Sequence, residues 1–185
     1  MNVSNAIKPL FIAMHGERVI LTEFREVDIT EEYIGWLNNP SVVKYSRQRF
    51  LKHTYESCMQ YFKRFEGTEN LFLKINRKFD ELFVGTLTIY YEKSSGVADV
   101  GILIGCESVW GTGIGQNAWN TVLNWLLSQG PIQSVTAGAM SSNAAMIRIM
   151  ENSGMVVEAV GAGKEMKGDL SQSFVFYRIS NDPAA

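Results

Sequence analysis

The sequence predicts a mixed α/β protein: one mixed sheet with helices on both faces, its elements in the order βααβββαβαββ. Three observations predict this. Short alternating, β-branched runs recur between turn signals. Longer segments between them carry apolar residues at helical spacing. A glycine-rich loop near the middle of the chain divides a strand-rich first half from a second half in which strands and helices alternate. The chain has 185 residues, 46% hydrophobic and 11% aromatic, enough for one core and too apolar for a disordered chain.

The elements follow in order. Glu17 to Phe24 alternates and is β-branched, which predicts a strand. Asp28 or Thr30 can cap a short helix from Glu31 to Leu37, which Asn38-Asn39-Pro40 stops. A second helix spans Thr54 to Phe65, with Cys58, Tyr61, Phe62 and Phe65 on one side. Leu71 to Ile75, Phe83 to Tyr91 and Val97 to Ile104 read as strands separated by charged or Gly/Ser turns. After the glycine loop, Gly111 to Gly115, a long helix covers Gln116 to Ser128. Ser134 to Ala139 is a strand, Asn143 to Asn152 a helix, and Met155 to Val160 and Ser173 to Ile179 are the last two strands.

No repeat or linker divides the chain, so residues 17–180 are expected to form a single domain, with residues 1–16 a flexible leader and 181–185 a frayed tail. No apolar run approaches the roughly 20 residues of a membrane span. Residues 1–14 show no secretory pattern, and the expected location is the cytoplasm. Cys58 and Cys106 are too few and too far apart for a disulfide scaffold or a zinc site, and no metal is expected. With 17 basic against 19 acidic residues, no long-range field favours nucleic acid. His15 and His53 lack partners for a triad and read as surface residues. Met140, Met146, Met150 and Met155 read as core filling, or as the lining of a channel.

The glycine loop carries the most chemistry. Trp110-Gly-Thr-Gly-Ile-Gly115 lies between a strand and a helix. Glycine leaves backbone N–H groups uncovered and the helix N-terminus adds partial positive charge, so the arrangement suits a phosphate or pyrophosphate. It is not a Walker loop, which needs Lys and Ser or Thr where Gln116 and Asn117 stand. Nor is it a dinucleotide fingerprint. The spacing is G-x-G-x-G, in mid-chain, with no ribose-binding acid at a suitable distance.

Trp110 to Gly115 followed by a helix resembles the acetyl-CoA pyrophosphate loop of the GNAT N-acetyltransferase superfamily. Asn143 followed by Ile147-Arg-Ile-Met-Glu-Asn-Ser-Gly-Met155 is similar to that superfamily's next helix. The resemblance covers roughly Glu17 to Ile179 and implies a mostly antiparallel sheet of six to seven strands. It implies an acetyl-CoA-dependent N-acetyltransferase acting on a primary amine. It also implies that the backbone of Leu103 and Ile104 pairs with the pantetheine arm and that the amides of Gly111, Thr112, Gly113, Ile114 and Gly115 take the pyrophosphate. Trp110, where many relatives carry a basic or glutamine side chain, would pack the loop. Asn143 would bond the pantetheine or simply cap its helix.

Acetyl transfer to an amine needs a base and often an acid for the leaving thiolate. Asp99, on the strand leading to the acyl site, is the first candidate base, and Glu107 in the loop before the glycines is the second. Met146 and Met150 stand where relatives carry a Ser or a Tyr acid, so Tyr177 on the last strand is the candidate replacement. Two branches are closest, the alanine N-acetyltransferases of ribosomal proteins and the acetyltransferases of surface-polysaccharide and amino-sugar biosynthesis. Tyr33 to Pro40 and Ala98 to Gly105 are more similar to the second. Tyr45, Arg47 and Arg49 lie between the first two helices, in the segment that roofs the acceptor pocket of this fold, and suit a nucleotide-linked amino sugar. The rival readings are a peptide N-terminus acetylase and a non-catalytic acyl-CoA-binding module. A homodimer is a family expectation.

Overall fold

The computed structural model describes residues 13–162 and 173–181. Eight strands form one sheet in the order β1-β2-β3-β4-β5-β6-β8-β7. They are β1 (Met14–His15), β2 (Val19–Glu23), β3 (Leu71–Arg77), β4 (Phe83–Glu92), β5 (Val97–Ile104), β6 (Ser134–Met140), β7 (Val156–Ala162) and β8 (Ser173–Ser180). The helices are α1 (Glu31–Asn38), α2 (Tyr55–Phe62), α3 (Ile114–Ser128) and α4 (Ala144–Asn152). Every strand pair is antiparallel except β5–β6, which the α3 crossover joins in parallel.

The mixed α/β class and element order match the sequence reading, with one strand more than expected. The addition is β1. Met14 pairs with Leu21 and His15 with Ile20, and Met14 is buried in the main core, so residues 14–16 belong to the domain and not to the expected leader. Two residues are too short a run for alternation to be visible. Residues 1–12 and 182–185, the rest of the expected leader and tail, lie outside the described residues. The second helix ends at Phe62 and continues as a 3-10 turn, Lys63–Phe65.

Alternation along β5 shows how the layers form. Ala98, Val100, Ile102 and Ile104 join the core beneath α3 and α4, with Trp119, Val122 and Leu126 of α3. Leu103 turns to the other face and joins a separate aromatic cluster of Phe24, Tyr33, Trp36, Phe65 and Phe72 beneath α1 and α2. Phe24 stacks on Phe72 at 4.2 Å and Trp36 meets Phe83 at 4.8 Å, so this second layer is held by ring contacts. The N-termini of α1, α2 and α4 are capped by side chains. Thr30 accepts from the Tyr33 amide, Thr54 and Ser57 cap reciprocally, and Asn143 accepts from the Met146 amide. Asn38, at the end of α1, donates to the His53 carbonyl and accepts from its amide, which ties α1 to the start of α2.

Candidate active site

The site begins where the parallel pair β5–β6 comes apart. Its register runs Val97↔Ser134, Ala98↔Val135 and Asp99↔Thr136 and then stops. β4 continues to pair with β5 out to Ile104, and β8 with β6 out to Met140. The edges of residues 100–104 and 137–140 that face each other therefore diverge from a vertex at Asp99 and Thr136. In such a gap an extended, amide-bearing chain can add as a pseudo-strand. Leu103 and Ile104 lie on its β5 wall, both half-buried.

The glycine loop stands at the open end of this wall. Gly111 and Gly113 have φ of 72° and 86°, left-handed values that a β-branched residue adopts only under strain. The first helical hydrogen bond is Asn117 N–H to the Gly113 carbonyl, so the amides of Ile114, Gly115 and Gln116 precede the ladder and point out of the α3 N-terminus. A side chain at Gly111 would meet open space, which leaves the approach clear. The Trp110 indole donates to the Ile104 carbonyl at 2.9 Å and the Thr112 hydroxyl to the Val109 carbonyl at 2.6 Å. The first bond fastens the loop to the end of β5 and the second closes the turn that precedes the glycines. An uncovered helix N-terminus beside a diverging strand edge fits a pyrophosphate with an extended pantetheine arm. Asn143 spends its carbonyl oxygen on the α4 cap, 3.2 Å from the Met146 amide.

Asp99 sits at the vertex and faces the α1/α2 side, directly across from Tyr90 on β4 and Thr136 on β6. The Thr136 hydroxyl donates to its carboxylate at 3.0 Å. Although Asp99 reaches the surface, the protein packed around its carboxylate raises its pKa, a burial effect that the Thr136 hydrogen bond only partly offsets. The Tyr90 hydroxyl lies 2.8 Å from that of Tyr61 on α2. On the far side of Thr136 comes Arg178, which is paired with Glu158 at 2.6 Å. Farther along β6 the Phe176 ring lies over Gly138. At its end the Arg49 guanidinium donates to Met140 Sδ at 3.2 Å and to the Lys44 carbonyl at 2.8 Å, and stacks on Phe50. One face of the sheet thus carries a carboxylate at the vertex and a guanidinium at the mouth, separated by four residues of β6, or about 13 Å of strand.

The other predicted site residues lie elsewhere. Glu107 is exposed three residues beyond the end of β5, which itself lies about 16 Å of strand from Asp99. Its carboxylate accepts from the Asn39 amide group at 2.6 Å and joins the loop to the end of α1. Tyr177 points to the α4 face, opposite to Asp99, where it is buried and donates to Glu151 at 3.0 Å. Burial first, and Glu151 second, push its pKa up. It ties β8 to α4 and points to the face of the sheet opposite Asp99. Tyr45 lies beside Lys44, whose ammonium stands over its ring, and Arg47 is exposed in the same roof segment. Sequence reasoning missed Tyr61, Tyr90, Thr136 and Phe176. Thr86, Thr88 and Tyr90 alternate on β4, but only the register brings Tyr90 opposite Asp99.

Residues 18–156 match the acetyltransferase (GNAT) domain family, and the chain belongs to it. It is an acetyl-CoA-dependent N-acetyltransferase. No curated protein matches the sequence. Solved structures share the fold at low identity. An acetyltransferase (GNAT family) from Bacillus anthracis aligns at TM-score 0.79 and 17% identity, over 92% of this chain and 99% of that one. RimL, a ribosomal L7/L12 α-N-protein acetyltransferase in complex with coenzyme A, aligns at TM-score 0.78 and 14% identity, over 92% and 99%. The microcin C7 self-immunity acetyltransferase MccE, in complex with acetyl-CoA and AMP, aligns at TM-score 0.76 and 16% identity, over 89% and 93%.

Proposed function

We propose that this acetyltransferase modifies the primary amine of a small acceptor that also carries an anionic group, a nucleotide-linked amino sugar being the acceptor class that fits best, and that it works in the cytoplasm. The observation that carries the reading is the pairing of Asp99 at the vertex with Arg49 at the mouth of the same sheet face.

Acetyl-CoA supplies the acyl group as an activated thioester. The loop amides hold the pyrophosphate and the free edge of β5 aligns the arm, so the carbonyl is presented near the vertex. Asp99 takes the proton of the incoming ammonium, directly or through one water, and Thr136 fixes the orientation of the carboxylate. The raised pKa of Asp99 makes it a better proton acceptor than an ordinary aspartate. No acid is assigned to the leaving thiolate, which can depart unprotonated. Arg49 binds the acceptor's anion as a planar, always-charged fork, and the rings of Phe50 and Phe176 give its uncharged parts an apolar wall. MccE, crystallised with AMP, and RimL, a protein acetylase, show how far acceptors of this fold diverge.

Thiol release from acetyl-CoA, followed across nucleotide amino sugars, free amino sugars, polyamines and Ala- or Ser-starting peptides, tests the proposal. Turnover is expected to be highest on the nucleotide amino sugars. Preference for peptides would replace the acceptor assignment with the N-terminal acetylase reading.

A further inference from the structure

Beyond Asp99 and Thr136 no strand pairing fixes the width of the gap between β5 and β6. Each wall of the gap carries a helix. The β5 wall leads through the glycine loop into α3. The β6 wall leads into α4 by a tight turn, in which the Asn143 amide donates to the Met140 carbonyl at 2.8 Å. A bond from α3 to α4 on their shared face of the sheet therefore bridges the two walls.

Gln116, directly after the last glycine, makes that bridge. Its Nε2 lies 2.8 Å from Ser153 Oγ, 3.0 Å from Asn120 Oδ1 and 3.1 Å from the Ile149 carbonyl. Ser153 Oγ in turn lies 2.7 Å from both Asn120 Oδ1 and the Ile149 carbonyl. Asn152 donates to Gln116 Oε1 at 3.4 Å, so both ends of the Gln116 amide are engaged. Ile149 is one of the last four residues of α4, whose carbonyls have no amide partner within the helix. Gln116, Asn120 and Ser153 are all half-buried, where a lost hydrogen bond is costly because water replaces it poorly.

The glycine beside it fixes where the bridge stands. A side chain at Gly115 would meet Ile104 of β5 at 3.4 Å and Ile149 of α4 at 3.5 Å. The first turn of α3, the end of β5 and the last turn of α4 thus converge at the mouth of the gap. None of the chemistry derived above uses the Gln116 side chain.

We propose that Gln116 is a positioning residue for the acyl donor: its clasp on Ser153 and Ile149 sets the separation of the β5 and β6 walls, and with it the fit of the pantetheine arm. The inference rests on the proposed placement of the arm in this gap. It separates the arm from the pyrophosphate. The loop amides are shaped by Gly111 and Gly113 and by the Trp110 bond to Ile104, so their grip survives loss of the clasp, whereas the hydrogen bonds of an arm between parted walls weaken.

Calorimetric binding of coenzyme A and of adenosine 3′-phosphate 5′-diphosphate, which lacks only the pantetheine arm, isolates the arm without turnover. The wild-type protein is expected to bind coenzyme A the more tightly, and the ratio of the two affinities measures what the gap contributes. Gln116→Met keeps the length of the side chain and removes its hydrogen bonds. It is expected to shrink that ratio about fivefold or more, the scale of one or two lost hydrogen bonds, with the armless ligand held within about twofold of wild type. Ser153→Ala removes the partner hydroxyl and is expected to shrink the ratio in the same direction, which keeps the test decisive if Gln116→Met does not fold. Glu151→Gln loosens α4 from Tyr177 without touching the clasp and is expected to keep the wild-type ratio. A merely structural role for Gln116 would weaken both ligands alike, and that result would overturn the inference. So would an unchanged ratio in the Gln116 and Ser153 variants, or an equal loss in Glu151→Gln. Equal binding of the two ligands by the wild-type protein would instead remove the arm from the gap, and the inference would fall with that placement.

Discussion

The proposed donor and acceptor halves of the site are built in opposite ways. The donor half is one unbroken stretch, from Val97 through the glycine loop to α3, and its working groups are backbone amides at a helix start and a strand edge. The acceptor half proposed here is assembled from α2, the segment between α1 and α2, β4, β5, β6 and β8, and the groups it offers are side chains: Tyr61, Tyr90, Asp99, Thr136, Arg49 and Phe176. A backbone site needs glycine geometry and tolerates wide variation elsewhere. A side-chain site is free to change its ligand one residue at a time. The fold itself is shared with solved structures at 14–17% identity.

The contrast can be broken by substitutions that should affect one half only. The largest effect is expected from Asp99→Asn, which keeps the shape of the vertex and removes the base. The rate of thiol release should fall by about 10²–10⁴-fold with the affinity for coenzyme A unchanged by calorimetry. Gly113→Val should act on the other half. A β-branched residue at φ 86° is strained by about 1–3 kcal/mol, and coenzyme A affinity should drop by about tenfold or more. Arg49→Gln should raise the KM of an anionic acceptor by about tenfold and leave an uncharged amine acceptor unaffected. The smallest effect is expected from Tyr177→Phe. Loss of its bond to Glu151 should cost about 1 kcal/mol in denaturant unfolding, with activity within about twofold of wild type. A large loss of activity there would identify Tyr177 as the acid and blur the division between the halves.

The same division decides how much was legible in the sequence. The donor half could be read because its elements are consecutive. Strand alternation, the spacing of Gly111, Gly113 and Gly115, and the helix that follows are local signals, and the structure shifts only the helix start, to Ile114. The acceptor half depends on strand register and on which face a residue takes, and neither is written in a local pattern. Asp99 could be singled out on its own strand, whereas its contact with Thr136 and the Tyr90–Tyr61 pair follow from pairings across β4, β5 and β6. Tyr177 shows what the register adds. One residue along β8 separates it from Phe176 and Arg178 on the acceptor face, and alternation sends it to α4 instead. The charge of Arg49 and its place between two helices are visible in the sequence, whereas its reach to Met140 at the end of β6 depends on the fold.

The two halves meet at Asp99, and the pH dependence of kcat/KM is the most direct test of that meeting. A base must be ionised, so the rate falls as pH drops through its pKa. Because burial raises the pKa of Asp99, the fall should come at a pH above the ordinary aspartate value of about 4. The wild-type enzyme is predicted to show this acidic limb, and Asp99→Asn to lose it together with most of its rate while still binding coenzyme A. An identical limb in Asp99→Asn, with the rate retained, would contradict the account and move the base elsewhere on the acceptor face.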